Sequence, residues 1–388
     1  GDIGQQTTDN RQPTPSRQST NVTDFLEGIT ARAVSFLHLS AFICCLTAEF
    51  IPLSIPLVTS IELLKASGSA TRFTEGQKDT SCFVMTDPGR ERLMCYNYLN
   101  AVAYLTNLFV VYGIGVLGWF DLPDNAELSA KYQTLVTPAG FSFAIWAVIF
   151  VAQAFFAIAQ LLTTFRSVPI VQRGIRFWYG LACAFQIGWT LAFSFEKIWM
   201  SCIFMFFILF SLCGLLLNQR LAGNSGTVKE YWLLRFPFQI HTGWICAASA
   251  LNVNVVLVKE SAEHSFQVFA AVGSLLVLLG TALVLLLRTG KERELNVVIP
   301  LVLSWAFGGI WAELTNPKQS IQDKFDISTI NGLKVSAAIA CIVVFVVACI
   351  KTAWRFIRKD NSIEESSAVN DNVFADPEGT LQEPPSLT

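Results

Sequence analysis

The chain has 388 residues, of which 53% are hydrophobic and 14% charged, and its formal net charge is −2. A soluble domain carries about a quarter charged residues, so the composition argues against a soluble protein, and the weakly negative charge gives no basis for nucleic-acid binding. The apolar residues come in blocks of about 20, the helix length that crosses a hydrocarbon core of roughly 30 Å. Because lipid cannot satisfy backbone polar groups, the sequence predicts an all-α, polytopic transmembrane bundle.

The first quarter of the chain is the most ambiguous part. Residues 1–32 are rich in Ser, Thr and Gln, which predicts a disordered segment, with the remnant of a transit segment as the alternative. Residues 33–64 form an apolar block interrupted by Glu49, Pro52 and Pro56. We interpret the block as one span, although a span with an interfacial segment or a re-entrant hairpin would also fit. A polar loop, residues 65–95, contains Cys82 and Cys95, which could pair in an oxidising compartment.

Eight clear spans follow the polar loop, and with the first block they give a prediction of eight to nine spans. We group the first five as a bundle over residues 96–258 and the last three as additional helices over residues 266–357. The acidic tail, residues 358–388, is rich in Ser, Asp and Pro, which predicts disorder. The predicted spans are residues 96–119, 140–165, 177–195, 199–217, 236–258, 266–287, 295–314 and 333–350.

The Lys and Arg residues of the connections indicate the orientation of the spans. One set of alternating connections holds eighteen of these residues and the opposite set holds six. Basic residues accumulate on the cytosolic side of membrane proteins. The bias therefore predicts that the C-terminus of this integral, multi-pass protein is on the cytosolic side, while the organelle stays open.

Ionisable residues inside membrane spans are costly and often functional, but this chain has few of them, chiefly Glu49, His241 and Glu313. The sequence contains no HExxH, P-loop, CxxC or GxSxG pattern. Neither a metal centre nor an activated nucleophile is indicated. We therefore expect a non-enzymatic protein that requires no cofactor.

Aromatic and amide residues at helical spacing are the main candidates for a binding site. Residues three or four apart share one face of a helix, and such stripes could line an apolar pocket with a few orienting polar groups. For any single residue, plain interhelical packing is the alternative interpretation. The candidates are Trp146, Phe150, Gln153, Gln186, Trp189, His241, Trp244, Ala248 and Asn252.

Three segments within residues 96–258 resemble the translocator protein, or tryptophan-rich sensory protein (TspO/MBR), family. They read AELSAKYQTLVTPAG followed by FSFAIWAVIF, then QIGWTLAF, then WICAASALN. The last segment is the most specific, because Trp244, Ala248 and Asn252 keep the spacing of the family's fifth helix. The chain departs from the family's pattern at Phe150, where a Tyr is usual, and at Gln186, where an Asn is usual.

The resemblance implies a distant and enlarged relative with a five-helix core. It further implies a pocket inside that core, closed by the loop over residues 121–138, which holds a hydrophobic, planar ligand such as a porphyrin or a sterol. The nine candidate residues would line the pocket, with the aromatic rings stacking on the ligand and Asn252 or His241 donating or accepting a hydrogen bond. His241 could alternatively ligate the iron of a tetrapyrrole.

On this interpretation the partners are membrane lipids and a small hydrophobic ligand, and a homodimer stays open. The alternative function is a secondary transporter that uses the full set of helices. A transporter would predict broken helices near the membrane midplane and an internal repeat. Gly308 and Gly309 beside Glu313 are where a break could lie, but the sequence shows no persuasive repeat.

Overall fold

Every regular element in the described part of the chain is helical. Residues 2–92 lie outside that part, and with them the predicted N-terminal segment, the first apolar block and Cys82. Cys95 is disulfide-bonded. The computed structural model describes residue 1 and residues 93–223, 226–287 and 296–374.

The described residues contain nine α-helices of seven or more residues, and shorter helical segments join some of them. We number them in chain order. They are α1 (Cys95–Gly113), α2 (Asn125–Lys131), α3 (Ile145–Ala159), α4 (Trp178–Ser194), α5 (Ile198–Leu221), α6 (Phe236–Lys259), α7 (His264–Leu287), α8 (Val298–Thr315) and α9 (Ile327–Phe374).

Six helical segments in the described residues are long and apolar enough to cross a membrane. They contain α3, α5, α6, α7, α8 and the first part of α9, which confirms an all-helical, multi-pass membrane protein. The helices α1 and α4 do not meet the same criteria, so the structure does not confirm eight to nine spans. The reason is composition in α1, which carries three Asn residues, and length in α4, which has 17 residues.

Two helix ends differ from the predicted ones. The helix α1 ends at Gly113 rather than near residue 119, because Gly115 and Gly118 follow and Gly118 has φ +61°, a conformation that glycine adopts without a steric penalty. The backbone of α9 is helical through Phe374, where the sequence predicts disorder from residue 358. No Pro or Gly occurs between the predicted span and Phe374, so no residue there breaks the helix.

The helix α6 lies at the centre of the bundle. It packs against α3, α5, α7 and α8. The helix α1 packs against α3 and α4, and α8 packs closely against α9. The five-helix part and the last three helices therefore share one packed interior around α6.

The connection between α1 and α3 is folded into the bundle rather than extended. Within it, α2 begins with a capping box, in which the carboxylate of Asp124 accepts hydrogen bonds from the backbone N–H groups of Ala126 and Glu127 at 2.8 Å each. After α2, Leu135 and Val136 are almost fully buried. This connection, residues 122–139, is called the α1–α3 loop below.

Candidate functional site

An apolar cavity of about 60 Å³ lies beside α6. Its wall contains side chains of α3, α4, α5, α6, α7 and α8 together with residues of the α1–α3 loop and the turn before α3. The residues that line it are Val136, Pro138, Phe143, Trp146, Trp189, Met205, Trp244, Ala247, Ala248, Ala250, Leu251, Asn252, Ser274, Leu275, Leu278, Ala306 and Ile310.

Three tryptophans from three different helices meet at this wall. The ring of Trp146 on α3 lies edge-on to Trp244 on α6, with 6.4 Å between the ring centroids and 84° between the ring planes. Phe143 packs against Trp244 in the same manner at 5.7 Å. Trp189 on α4 stacks on Phe193 at 5.2 Å. Such edge-to-face and offset contacts are the favoured arrangements of aromatic rings, so the rings hold one another in place.

Most polar side chains in the wall are already hydrogen-bonded. Trp189 donates its Nε1–H to Oδ1 of Asn252 at 3.1 Å, and Nδ2 of Asn252 donates to the carbonyl of Ala248 at 2.9 Å. The hydroxyl of Ser274 donates to the carbonyl of Ala270 at 2.8 Å and accepts from Asn254. By contrast, Nε1 of Trp244 has no partner among the residues that the structure describes, although Trp244 is only 2% exposed.

Of the nine residues predicted to line a pocket, five belong to the wall of this cavity. They lie on α3, α4 and α6, at the spacing that the sequence indicates. The remaining four are buried nearby but are not part of the wall. The five are Trp146, Trp189, Trp244, Ala248 and Asn252, and the four are Phe150, Gln153, Gln186 and His241.

His241 and Gln153 form a buried polar network instead. Nε2 of Gln153 lies 2.9 Å from Nδ1 of His241, and Oε1 of Gln153 accepts a hydrogen bond from the hydroxyl of Tyr179 at 3.2 Å. This arrangement uses both ends of the Gln153 amide and makes Nδ1 of His241 an acceptor, so that its proton is on Nε2. His241 also lies edge-on to Trp146, with 5.8 Å between the ring centroids.

Gln186 belongs to a polar seam that sequence reasoning missed. Along α1 the buried residues include Asn97, Asn100 and Asn107, which share one face of the helix. Asn107 donates to Oε1 of Gln186 at 3.1 Å, and Asn100 donates to Oε1 of Gln160 at 3.3 Å. The three-and-seven spacing of these asparagines is visible in the sequence and could have revealed the seam.

The α1–α3 loop is held at both of its sides. At one side Lys131 forms an ion pair with Glu196 at 2.6 Å, and the hydroxyl of Tyr132 also donates to Glu196. At the other side Gln133 donates to the carboxylate of Glu313 at 2.9 Å and accepts from Lys318 at 3.1 Å. The loop that supplies Val136 and Pro138 to the cavity is therefore anchored to two different parts of the bundle.

The Lys131–Glu196 pair lies outside the helices that cross the membrane. The hydrogen bond from Lys131 holds the pKa of Glu196 below its usual value, and the bond from Tyr132 acts in the same direction. The same contact with Glu196 raises the pKa of Lys131. Both shifts favour the charged forms, so the ion pair is present around neutral pH.

The described residues of the chain contain no group of three or more His, Cys, Asp or Glu side chains that could hold a metal ion. The wall of the cavity contains no acidic or basic side chain. What the arrangement provides is an apolar, aromatic surface in which the fully buried donor Nε1 of Trp244 has no partner among the described residues.

A comparison with protein families matches residues 97–350 to a family described as TSPO-like protein. The match extends beyond the region of the resemblance, residues 96–258, and includes α7, α8 and the first part of α9. No curated protein and no solved structure matches the chain. Because the family match covers more than half of the sequence, the resemblance is confirmed, and this membrane protein belongs to the TSPO-like protein family.

Proposed function

We propose that this protein binds a small, planar, hydrophobic ligand in the cavity beside α6. The observation that carries the proposal is the meeting of Trp146, Trp189 and Trp244 at one apolar wall inside a helical membrane bundle. Binding sites for small molecules are mostly apolar and aromatic, with a few polar groups that orient the ligand. The absence of an acidic or basic side chain among the described wall residues favours binding over catalysis. Transport or sensing of the ligand stays a prediction.

The size of the cavity limits the ligand. Sites for drug-sized ligands usually enclose about 300–1,000 Å³, and an engineered apolar cavity that accepts benzene has about 150 Å³. The cavity of about 60 Å³ is smaller than either, so we expect a ligand to enter only when part of the wall moves. Met205 is a flexible side chain, and Val136 and Pro138 belong to a loop. A porphyrin or sterol requires further opening and stays a prediction.

Filling the cavity should weaken binding of a ligand. In Ala306→Leu the larger side chain takes up the space beside Trp244, since Ala306 is a wall residue that is 2% exposed. We expect it to weaken binding of 4-fluoroacetophenone at least about tenfold, because a full site accepts added volume only with strain. The measurement is ¹⁹F NMR line broadening of the probe with protein in lipid nanodiscs, and empty nanodiscs correct for partition into lipid.

Ala312→Leu is the matched control, because it places the same substitution on the same helix at a partly exposed residue outside the cavity wall. It should bind the probe as wild type does. Protoporphyrin IX, followed by quenching of tryptophan fluorescence, reports whether the site opens far enough for a tetrapyrrole. If wild type binds neither probe, or if both Leu variants behave alike, the proposed site is wrong.

We further propose that α1 and α4 also cross the bilayer, which gives eight spans in the described region. At 1.5 Å per residue, 19 and 17 residues span about 28 and 26 Å, close to the hydrocarbon thickness. The asparagines that lower the hydropathy of α1 are buried in the bundle, while Val102, Leu105 and Phe109 are more than 60% exposed. Polar residues directed inward and apolar ones outward are the pattern of a membrane helix.

Labelling of single cysteines tests this topology. In sealed vesicles of a cysteine-depleted variant, Met94→Cys and Arg173→Cys should react with an impermeant maleimide from one side, and Lys197→Cys from the other. The Lys and Arg bias of the connections predicts that Arg173 lies on the cytosolic side, with the C-terminus. Labelling of Arg173→Cys and Lys197→Cys from the same side would show that α4 does not cross.

A further inference from the structure

The hydrogen-bonding state of the cavity wall indicates the chemistry of its ligand. Asn252 uses its oxygen to accept from Trp189 and its nitrogen to donate to Ala248. Ser274 likewise both donates and accepts. Each of these polar side chains therefore already has partners within the protein, although Asn252 keeps a second N–H and a second lone pair.

Trp244 differs from Asn252 and Ser274 in its hydrogen bonding. Its Nε1–H is buried in a residue that is 2% exposed, and it has no partner among the described residues. An indole nitrogen is a donor only, so the group that satisfies it must be an acceptor. Leaving such a donor unpaired in an apolar interior is costly, and a ligand that supplies an acceptor removes that cost.

We propose that the cavity selects neutral ligands that carry a hydrogen-bond acceptor, such as a ketone, ester or ether oxygen, and that Trp244 Nε1–H donates to this acceptor. The proposal rests on the proposed function and adds the class of ligand to it. Neutrality follows from the wall, because no charged side chain lies in it and burial of an unpaired ion is strongly unfavourable.

The position of Trp244 suits this role. Phe143 and Trp146 contact its ring edge-on at 5.7 and 6.4 Å between centroids, which restricts its rotation. Gly243, the preceding residue, lies so close to α8 that an added Cβ would stand 2.8 Å from Cβ of Val302. The backbone of α6 is therefore pressed against α8 beside Trp244, and the donor is held in a fixed place.

Two probes of the same shape test whether the ligand needs a hydrogen-bond acceptor. In 4-fluoroacetophenone and 4-fluoro-α-methylstyrene, a carbonyl oxygen and a methylene group occupy the same position. Both are titrated into wild type and Trp244→Phe in lipid nanodiscs and followed by ¹⁹F NMR. We expect Trp244→Phe to weaken binding of the ketone about tenfold, the loss typical of a buried acceptor left unpaired. Binding of the hydrocarbon should change less than about twofold, and comparison within each probe cancels its partition into lipid.

Trp146→Phe is the matched control, since it removes an indole N–H from the same wall. This substitution should not weaken binding of the ketone more than binding of the hydrocarbon probe. Unlabelled acetophenone should displace the fluorinated ketone, whereas 4-acetylbenzoate, which adds a carboxylate, should be at least about tenfold weaker as a competitor.

The outcomes separate this inference from the function on which it rests. If wild type binds neither probe, the proposed function fails. If wild type binds both probes and Trp244→Phe weakens the binding of both equally or of neither, only the role of Trp244 as donor is overturned. A ketone-specific loss in Trp146→Phe would assign the donor to that residue instead, and effective competition by 4-acetylbenzoate would overturn selection for neutral ligands.

Discussion

Arg235→Met is expected to lower the free energy of unfolding by about 3–5 kcal/mol, the usual effect of removing one partner from a buried ion pair. Nε of Arg235 lies 3.3 Å from Oε1 of Glu230, and the two side chains are only 7% and 4% exposed. Nη2 of Arg235 also donates to the carbonyl of Gly223 at 2.5 Å. The substitution leaves the Glu230 carboxylate buried without this cation. Reversible unfolding in mixed detergent micelles measures the change.

Two controls show whether the buried charge is the cause. The double variant Glu230→Leu with Arg235→Met removes both charges and should be much less destabilised than Arg235→Met alone. Lys131→Met breaks the exposed pair with Glu196 and should change stability little, because exposed ion pairs contribute little. Equal losses in the single and double Arg235 variants would contradict the explanation.

Gly309→Ala is expected to destabilise the protein by about 1–3 kcal/mol, the range for overpacking a tight interior contact. A Cβ at Gly309 would lie 2.1 Å from Oγ of Ser142 and 2.9 Å from Cβ of Pro138. The serine hydroxyl can rotate away, but Cβ of Pro138 is fixed by its ring, so the α1–α3 loop must move. The hydrogen bond from Ala139 N–H to the carbonyl of Gly309, 3.0 Å long, would be disturbed as well.

Gly308→Ala is the matched control on the preceding residue. There an added Cβ meets only Sγ of Cys341 at 3.5 Å, an ordinary contact. Because Ala is favoured over Gly inside a helix by up to about 1 kcal/mol, Gly308→Ala should be neutral or slightly stabilising. Proteolysis within the α1–α3 loop should increase in Gly309→Ala and not in Gly308→Ala. Similar behaviour of both variants would mean that the loop does not press on α8 at Gly309.

The tryptophan stripes were the part of the site that the sequence could predict. Trp244, Ala248 and Asn252 are four residues apart, and helical periodicity alone places them on one face of α6. The same periodicity selected Gln153 and His241, which lie outside the wall. Sequence spacing shows which residues share a face, but whether an amide meets a cavity or another polar side chain depends on the neighbouring helix.

The contributions of α5, α7 and α8 could not be predicted. Met205, Leu275 and Ile310 are apolar residues in apolar helices, and in a membrane protein both the lipid-facing and the interior surfaces are apolar. The spacing of apolar residues therefore does not predict which face of these helices points into the bundle. Similarly, the loop residue Pro138 reaches the cavity through tertiary contacts with Gly309 that no local pattern indicates.

The sharing of one interior by α6 and the last three helices has a practical consequence for any attempt to reduce the protein to a smaller unit. A truncation after residue 263 would keep all three cavity tryptophans yet remove Ser274, Leu275, Leu278, Ala306 and Ile310, and so open one whole flank of the cavity to lipid acyl chains. Acyl chains would then compete with the proposed ligand for the exposed indole rings. A minimal version that retains binding must therefore extend from α3 through α8, and a graft of the tryptophans onto a five-helix scaffold would need new side chains to replace that flank.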